Sequence, residues 1–158
     1  MVTVRLATIQ DSADVLLWRN DPLTVRMSLS GTEVSAEKHV QWFVSTLNSN
    51  DRVHIIGEFT KSDGSLEKIG VCRFDMEEPD RWLISINLNP TLRGRGLSGT
   101  FLGQAIEYLN SCLASQNLTL VAEIREQNIP SVKIFQENGF LHVRKLAGVI
   151  YVERKLRQ

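Results

Sequence analysis

The stretch Leu92-Arg93-Gly94-Arg95-Gly96-Leu97-Ser98-Gly99 decides how the rest of this chain is read. Before it, Trp82, Ile84, Ile86 and Leu88 alternate with Leu83, Ser85, Asn87 and Asn89, the period of a strand, and the run closes at Pro90. After it, Phe101, Leu102, Ala105, Ile106, Leu109 and Leu113 recur at helical spacing, so the eight residues form a strand-to-helix turn. Backbone N–H groups at a helix start lack partners within the helix and lie at its positive end. Glycines there let a pyrophosphate approach the backbone closely, and Arg93 and Arg95 add positive charge. An isolated glycine run makes a tight connection and nothing more, so the flanking elements carry the decision.

Upstream, Val2 to Thr8 alternates as a strand, and Asp11 or Ser12 caps a short helix carrying Val15, Leu16 and Trp18 that stops near Asn20-Asp21-Pro22. Leu23 to Val34 shows no period. Ser35 then caps a helix whose Val40, Phe43, Val44 and Leu47 form a core-facing stripe. Arg52 to Phe59 and Lys68 to Asp75 read as antiparallel strands joined by a turn containing Asp63-Gly64. Downstream, Asn117 to Arg125 is a strand, Ser131 to Asn138 a short helix closed by Gly139, and Phe140 to Leu146 with Val149 to Lys155 a final strand pair. The order β-α-α-β-β-β-α-β-α-β-β predicts an α+β domain over residues 1–158: about seven strands, mostly antiparallel with one parallel step, flanked by four helices.

The chain's 158 residues, 42% of them hydrophobic, suffice for one core without disulfides or a structural metal. Eighteen basic and eighteen acidic side chains cancel, which gives no electrostatic footprint for nucleic acid or a membrane surface. No apolar run approaches the length of a membrane span, and the first residues lack a secretory apolar region. Cys72 and Cys112 read as core thiols, and with His39, His54 and His142 they form no ligand cluster, so no metal is expected and the cytoplasm is the expected compartment. The expected partner is a small molecule, with a second copy of the chain also kept as a candidate.

Two anionic ligands compete for the glycine turn. Gly94 to Gly99 also spells the dinucleotide fingerprint GxGxxG, with Glu123 near where a ribose-binding acid would sit. A dinucleotide fold continues as alternating strands and helices, whereas only one short helix and a strand pair follow Arg125. Coenzyme A is therefore preferred.

Two motifs then resemble the GNAT acetyltransferase superfamily. Its coenzyme-binding signature, Gln/Arg-x-x-Gly-x-Gly/Ala, is similar to Arg93-Gly94-Arg95-Gly96-Leu97-Ser98, with a small serine in the last place. An asparagine followed by a short helix and Gly-Phe appears as Asn128 to Phe140, and the element order agrees over nearly the whole chain. Within the superfamily, Trp18-Arg19-Asn20-Asp21-Pro22 and Glu37 to Phe43 resemble acetyltransferases that modify the 4-amino group of nucleotide-linked deoxyamino sugars on the way to nonulosonic acids such as pseudaminic acid. Ribosomal-protein and polyamine acetyltransferases carry related motifs, and a non-catalytic acyl-coenzyme A sensor is a further alternative.

The resemblance implies acetyl-coenzyme A as co-substrate, bound by Leu88, Arg93, Gly94, Arg95, Gly96, Leu97, Ser98, Asn128 and Phe135. It implies direct attack of a primary amine on the thioester, with a backbone N–H near Leu88 polarising the carbonyl. Glu123 is the candidate base, the alternative being a solvated strand carboxylate; Asn128 is otherwise a turn residue before Pro130. Family members often place a thiolate-protonating tyrosine where this chain has Phe135. Ser131 and Tyr151 are candidate substitutes, with Tyr151 otherwise packing in the core. Arg19, Asn20, Met27, His39 and Trp42 are expected to line the acceptor pocket, with Trp42 stacking on a sugar or base; the alternative for Trp42 and His39 is packing at the core edge and surface.

Overall fold

The chain opens on strand β1 (Val2–Leu6), turns through a 3-10 segment at Ile9–Asp11 and enters helix α1 (Ser12–Arg19). Next come α2 (Pro22–Met27), α3 (Ala36–Leu47), β2 (Arg52–Thr60), β3 (Leu66–Glu78) and β4 (Arg81–Leu88). A 3-10 turn at Pro90–Leu92 leads to α4 (Ser98–Cys112), followed by β5 (Asn117–Arg125), α5 (Ile129–Glu137), β6 (Leu141–Leu146) and β7 (Val149–Arg157). This computed structural model describes residues 1–115 and 117–157.

The described residues hold five α-helices rather than the four expected. The extra helix, α2, starts with Pro22 in its first turn, behind the Asp21 carboxylate, which accepts the Thr24 N–H at 3.2 Å. Its six residues bury no side chain, so it leaves no apolar stripe to find in the sequence.

All seven strands join one sheet in the order β1-β2-β3-β4-β5-β7-β6, antiparallel except for β4 against β5. The hairpin between β2 and β3 turns at Gly64, whose φ of +84° suits glycine, and Lys61 N–H donates to the Ser65 carbonyl at 2.8 Å. Strand alternation divides the core between two faces. Ile55 and Cys72 pack with Phe101 and Phe135 beneath α4 and α5, while their neighbours Ile56 and Val71 pack with Val15, Trp18 and Phe43 beneath α1 and α3.

Two packing expectations are corrected. On α3 the buried residues are His39, Phe43 and Thr46, whereas Val40 and Val44 are 47% and 42% exposed. The buried stripe is rotated because the His39 ring stacks on Phe43 and its Nε2–H donates to the Ser12 carbonyl at 3.0 Å, turning a polar residue inward. Cys72 is a core thiol, but Cys112, at the end of α4, is exposed.

Two buried polar groups tie the helices to the sheet. Asp11, 1% exposed, accepts from both Arg5 guanidinium ends at 2.8 and 2.9 Å, from Thr8 N–H at 2.8 Å, and pairs with Lys68 at 2.8 Å. Burial alone would raise its pKa; the donors outweigh burial and hold the carboxyl well below the usual range. His54 lies against Trp42 and Phe43, with neither ring nitrogen hydrogen-bonded among the described residues. Burial first, then the charges of Arg73 and Arg52, push its pKa down to about 4.

A group whose folded pKa is depressed binds protons more readily when unfolded, so acid favours unfolding. His54 should remove on the order of 3 kcal/mol of stability as the pH falls from about 6.5 to 4. Urea unfolding at pH 7 and pH 4.5 checks this. His54→Leu should flatten that part of the profile, and an unchanged slope would discard His54 as its source.

Candidate active site

Strands β4 and β5 pair only from Arg81 to Leu83 against Thr119 to Val121, then splay. Thr119 N–H donates to the Asp80 carbonyl at 2.8 Å, which turns the even-numbered peptide groups of β4 toward β5. Asn89 N–H donates the other way, to Ile69 on the β3 side, at 2.8 Å. By alternation the N–H groups of Ile86 and Leu88 point into the gap, where no strand meets them. The gap opens a cavity of about 680 Å³.

At one end lies the glycine turn. Asn89 fixes its start, accepting from Thr91 N–H at 3.1 Å and donating to the Lys68 carbonyl at 2.9 Å. Gly94 and Gly96 hold φ of +78° and +72°, which side-chain-bearing residues seldom adopt, and open space surrounds their missing Cβ positions. Leu97 precedes α4 without any side-chain cap, so the first N–H groups of the helix stand available. Gly94, Gly96, Leu97 and Ser98 line the cavity. Arg93 lines it as well, and it pairs with Asp21 and donates to Thr24 Oγ1, at 2.8 and 3.0 Å, which ties the turn to α2.

Another wall is the start of α5. Asn128 caps it by accepting Ser131 N–H at 3.4 Å, and Phe135 stands edge-on to Phe140 with centroids 4.9 Å apart. The even-numbered side chains of β5 pack beneath α4 and α5, so the odd-numbered ones project from the opposite face of the sheet. Glu123 is half-buried there and makes no side-chain hydrogen bond or ion pair among the described residues. Arg125 donates to the carbonyls of Ser28 and Leu29 at 2.8 and 2.9 Å, holding the segment after α2 over the cavity beside Leu23 and Met27.

A splayed parallel pair opening onto an uncapped, glycine-led helix is a cradle for an elongated anionic ligand whose arm pairs with strand backbone. A family model described as "Acetyltransferase (GNAT) domain" matches residues 2–141. The chain belongs to the GNAT acetyltransferase family. It is an acyltransferase, and its mixed α+β sheet is the GNAT fold. By sequence, no curated protein matches it. Among solved structures, a domain from Methanocaldococcus jannaschii is similar at TM-score 0.84 and 23% identity, covering 99% of each chain. A spermidine N-acetyltransferase from Vibrio cholerae, in complex with CoA and spermine, superposes at 0.82 and 15% identity, over 99% of this chain and 95% of its own. An aminoglycoside acetyltransferase in complex with coenzyme A superposes at 0.77 and 19% identity, over 98% and 94%. At these identities the likeness concerns the fold.

In this GNAT chain the cavity brings together Leu88, Arg93, Gly94, Gly96, Leu97, Ser98, Asn128 and Phe135 with Arg19, Met27 and Glu123. Arg95 is exposed and is not among the lining residues. Three residues expected in the acceptor pocket lie elsewhere. Asn20 spends its side-chain amide on Val34, donating to the carbonyl at 2.7 Å and accepting the N–H at 2.8 Å. His39 is buried against α1, and Trp42 lies beneath Arg73 in a separate surface hollow with Asp51 and Asp75. Tyr151 is not core either: it stands opposite Glu123 in the β5–β7 ladder, and the Arg144 guanidinium covers its ring at 4.3 Å. The sequence reading missed Arg73 and Arg125. A charge alternating with Cys72 and Phe74, or ending an apolar strand, was the available signal.

Proposed function

We propose that residues 1–158 act as one acetyl-coenzyme A-dependent N-acetyltransferase domain in which a neutral primary amine attacks the thioester carbonyl directly. The observation that carries the reading is the splay of β4 from β5 onto the uncapped start of α4 and its two left-handed glycines. The pyrophosphate lies against the backbone from Gly94 to Ser98, and the pantetheine arm runs along the gap beside Phe135. The Leu88 N–H donates to the acetyl oxygen as charge develops on it. Asn128 keeps its amide N–H₂ for the arm, since its oxygen serves the cap.

The new C–N bond forms as the C–S bond breaks. Glu123 takes the proton from the attacking nitrogen, directly or through water, and the departing thiolate gains one from solvent, since Phe135 offers none. Ser131, which lines the cavity, carries the one hydroxyl on that helix.

The proposed acceptor is a nucleotide-linked amino sugar, supported by the resemblance of the Trp18 to Pro22 segment. A polyamine favours acidic walls, and Glu123 is the one carboxylate among the described residues lining the cavity. Leu23, Met27 and Leu29 supply the apolar surface first expected of Trp42. A second copy of the chain is the proposed protein partner, with the exposed edge strand β6 offering an unpaired ladder. The cytoplasm is the proposed compartment, where the two free thiols stay reduced.

Thiol release from acetyl-coenzyme A, measured with a nucleotide-linked deoxyamino sugar, spermidine and a peptide N-terminus, tests the reading. Turnover of the sugar above the other two supports all of it. Turnover of spermidine or the peptide alone leaves acetyl transfer and overturns the acceptor. Coenzyme binding without turnover of any amine makes the protein a sensor.

A further inference from the structure

Arg19, in the last turn of α1, and Arg73, on β3, both line the acceptor side of the cavity. Arg73 stands opposite Ser85 in the ladder, so its side chain projects on the α1 and α3 face, away from α4 and its glycine turn. The Arg19 guanidinium is half-satisfied: Nη2 donates to Ser30 Oγ at 3.0 Å and to the Thr32 carbonyl at 3.1 Å, while Nη1 is buried with no partner among the described residues. Arg73 Nε pairs with an Asp75 carboxylate oxygen at 2.8 Å, in a side chain that is 38% exposed. Burial and the neighbouring charge of Arg73 both lower the Arg19 pKa.

A buried N–H of a charged group without an acceptor is costly, and two guanidinium groups near one another add repulsion. One ligand relieves both: an anion beside the two arginines, accepting from Arg19 Nη1 and offsetting their like charge, as guanidinium groups do with carboxylate and phosphate. The coenzyme's phosphates belong to the glycine turn at the other end, so this anion comes with the acceptor. Resting on the acetyltransferase reading above, we propose that Arg19 and Arg73 are specificity-determining residues that recognise a carboxylate or phosphate carried by the acceptor amine. The preferred acceptor is then an amine with an attached anion, and a polycation is disfavoured.

Matched acceptors that differ in that group, compared per concentration of free amine, test this: leucine against leucinamide for a carboxylate, and glucosamine 1-phosphate against glucosamine for a phosphate. The anionic member of one pair should show kcat/KM about tenfold to hundredfold higher, the range of a charge-assisted hydrogen bond; which pair responds identifies the anion. Arg73→Gln and Arg19→Gln should each bring that ratio toward one, with Arg19→Lys restoring part of it. Coenzyme A calorimetry on each variant reports folding, and if Arg19→Gln unfolds, Arg73→Gln and Arg19→Lys carry the test. A neutral member preferred in both pairs, or a ratio indifferent to the variants, overturns the inference. Coenzyme binding with no amine turned over would instead defeat the acetyltransferase reading beneath it.

Discussion

Replacing Glu123 with Gln should lower kcat/KM for amine acetylation about a hundredfold to ten-thousandfold at neutral pH, the usual worth of a positioned general base. An aliphatic amine with a pKa near 10 is almost wholly protonated at pH 7 and cannot attack until that proton leaves. In the proposed mechanism Glu123 receives that proton. It is half-buried on the cavity wall, with no competing partner for its oxygens among the described residues. Glutamine keeps the shape and loses the basicity. The deficit should therefore shrink as alkaline buffer supplies free amine, while acetyl-coenzyme A binding stays near wild type. A pH–rate profile for Glu123→Gln that parallels wild type with no loss of rate would reduce Glu123 to a passive strand carboxylate.

The parts of this protein legible in its sequence are those written in local periods. The strand ending at Leu88, the Asp63-Gly64 hairpin and the stripe from Phe101 to Leu109 each follow from one residue's relation to its near neighbours, and each stands where expected. The glycine turn belongs with them, since positive φ at Gly94 and Gly96 is a local demand. What failed was information carried by contacts distant in sequence. The helix Pro22–Met27 is held by its cap and by the Arg93–Asp21 pair, 72 positions apart, and not by burial. His39 and Trp42 are neighbours on one helix flank as spacing required, but which way that flank faces was settled by the Ser12 carbonyl and by the ring of His54. Arg125 was invisible as a structural clamp because its acceptors are backbone carbonyls, which every residue has. Spacing identifies a face; only packing decides what it meets.

Gly96→Val should raise the dissociation constant for coenzyme A about a hundredfold or more while leaving the protein folded. Two costs combine. At φ of +72° a β-branched residue is strained by about 1–2 kcal/mol, and the turn relieves that strain by rotating its peptide groups, which swings the N–H donors away from the pyrophosphate. The new side chain also occupies the space around Gly96, open within 4 Å, that the phosphate needs. Because the space is open, the empty protein suffers no clash and loses only the backbone term. Gly64 supplies the control: it has φ of +84° and equally open surroundings, but it sits at the tip of the β2–β3 hairpin, outside the cavity lining. Gly64→Val should therefore match Gly96→Val in its fall in melting temperature and leave coenzyme affinity unchanged. Calorimetric titration of both variants separates strain from recognition. If Gly96→Val binds coenzyme A as tightly as Gly64→Val does, the pyrophosphate does not rest on this turn.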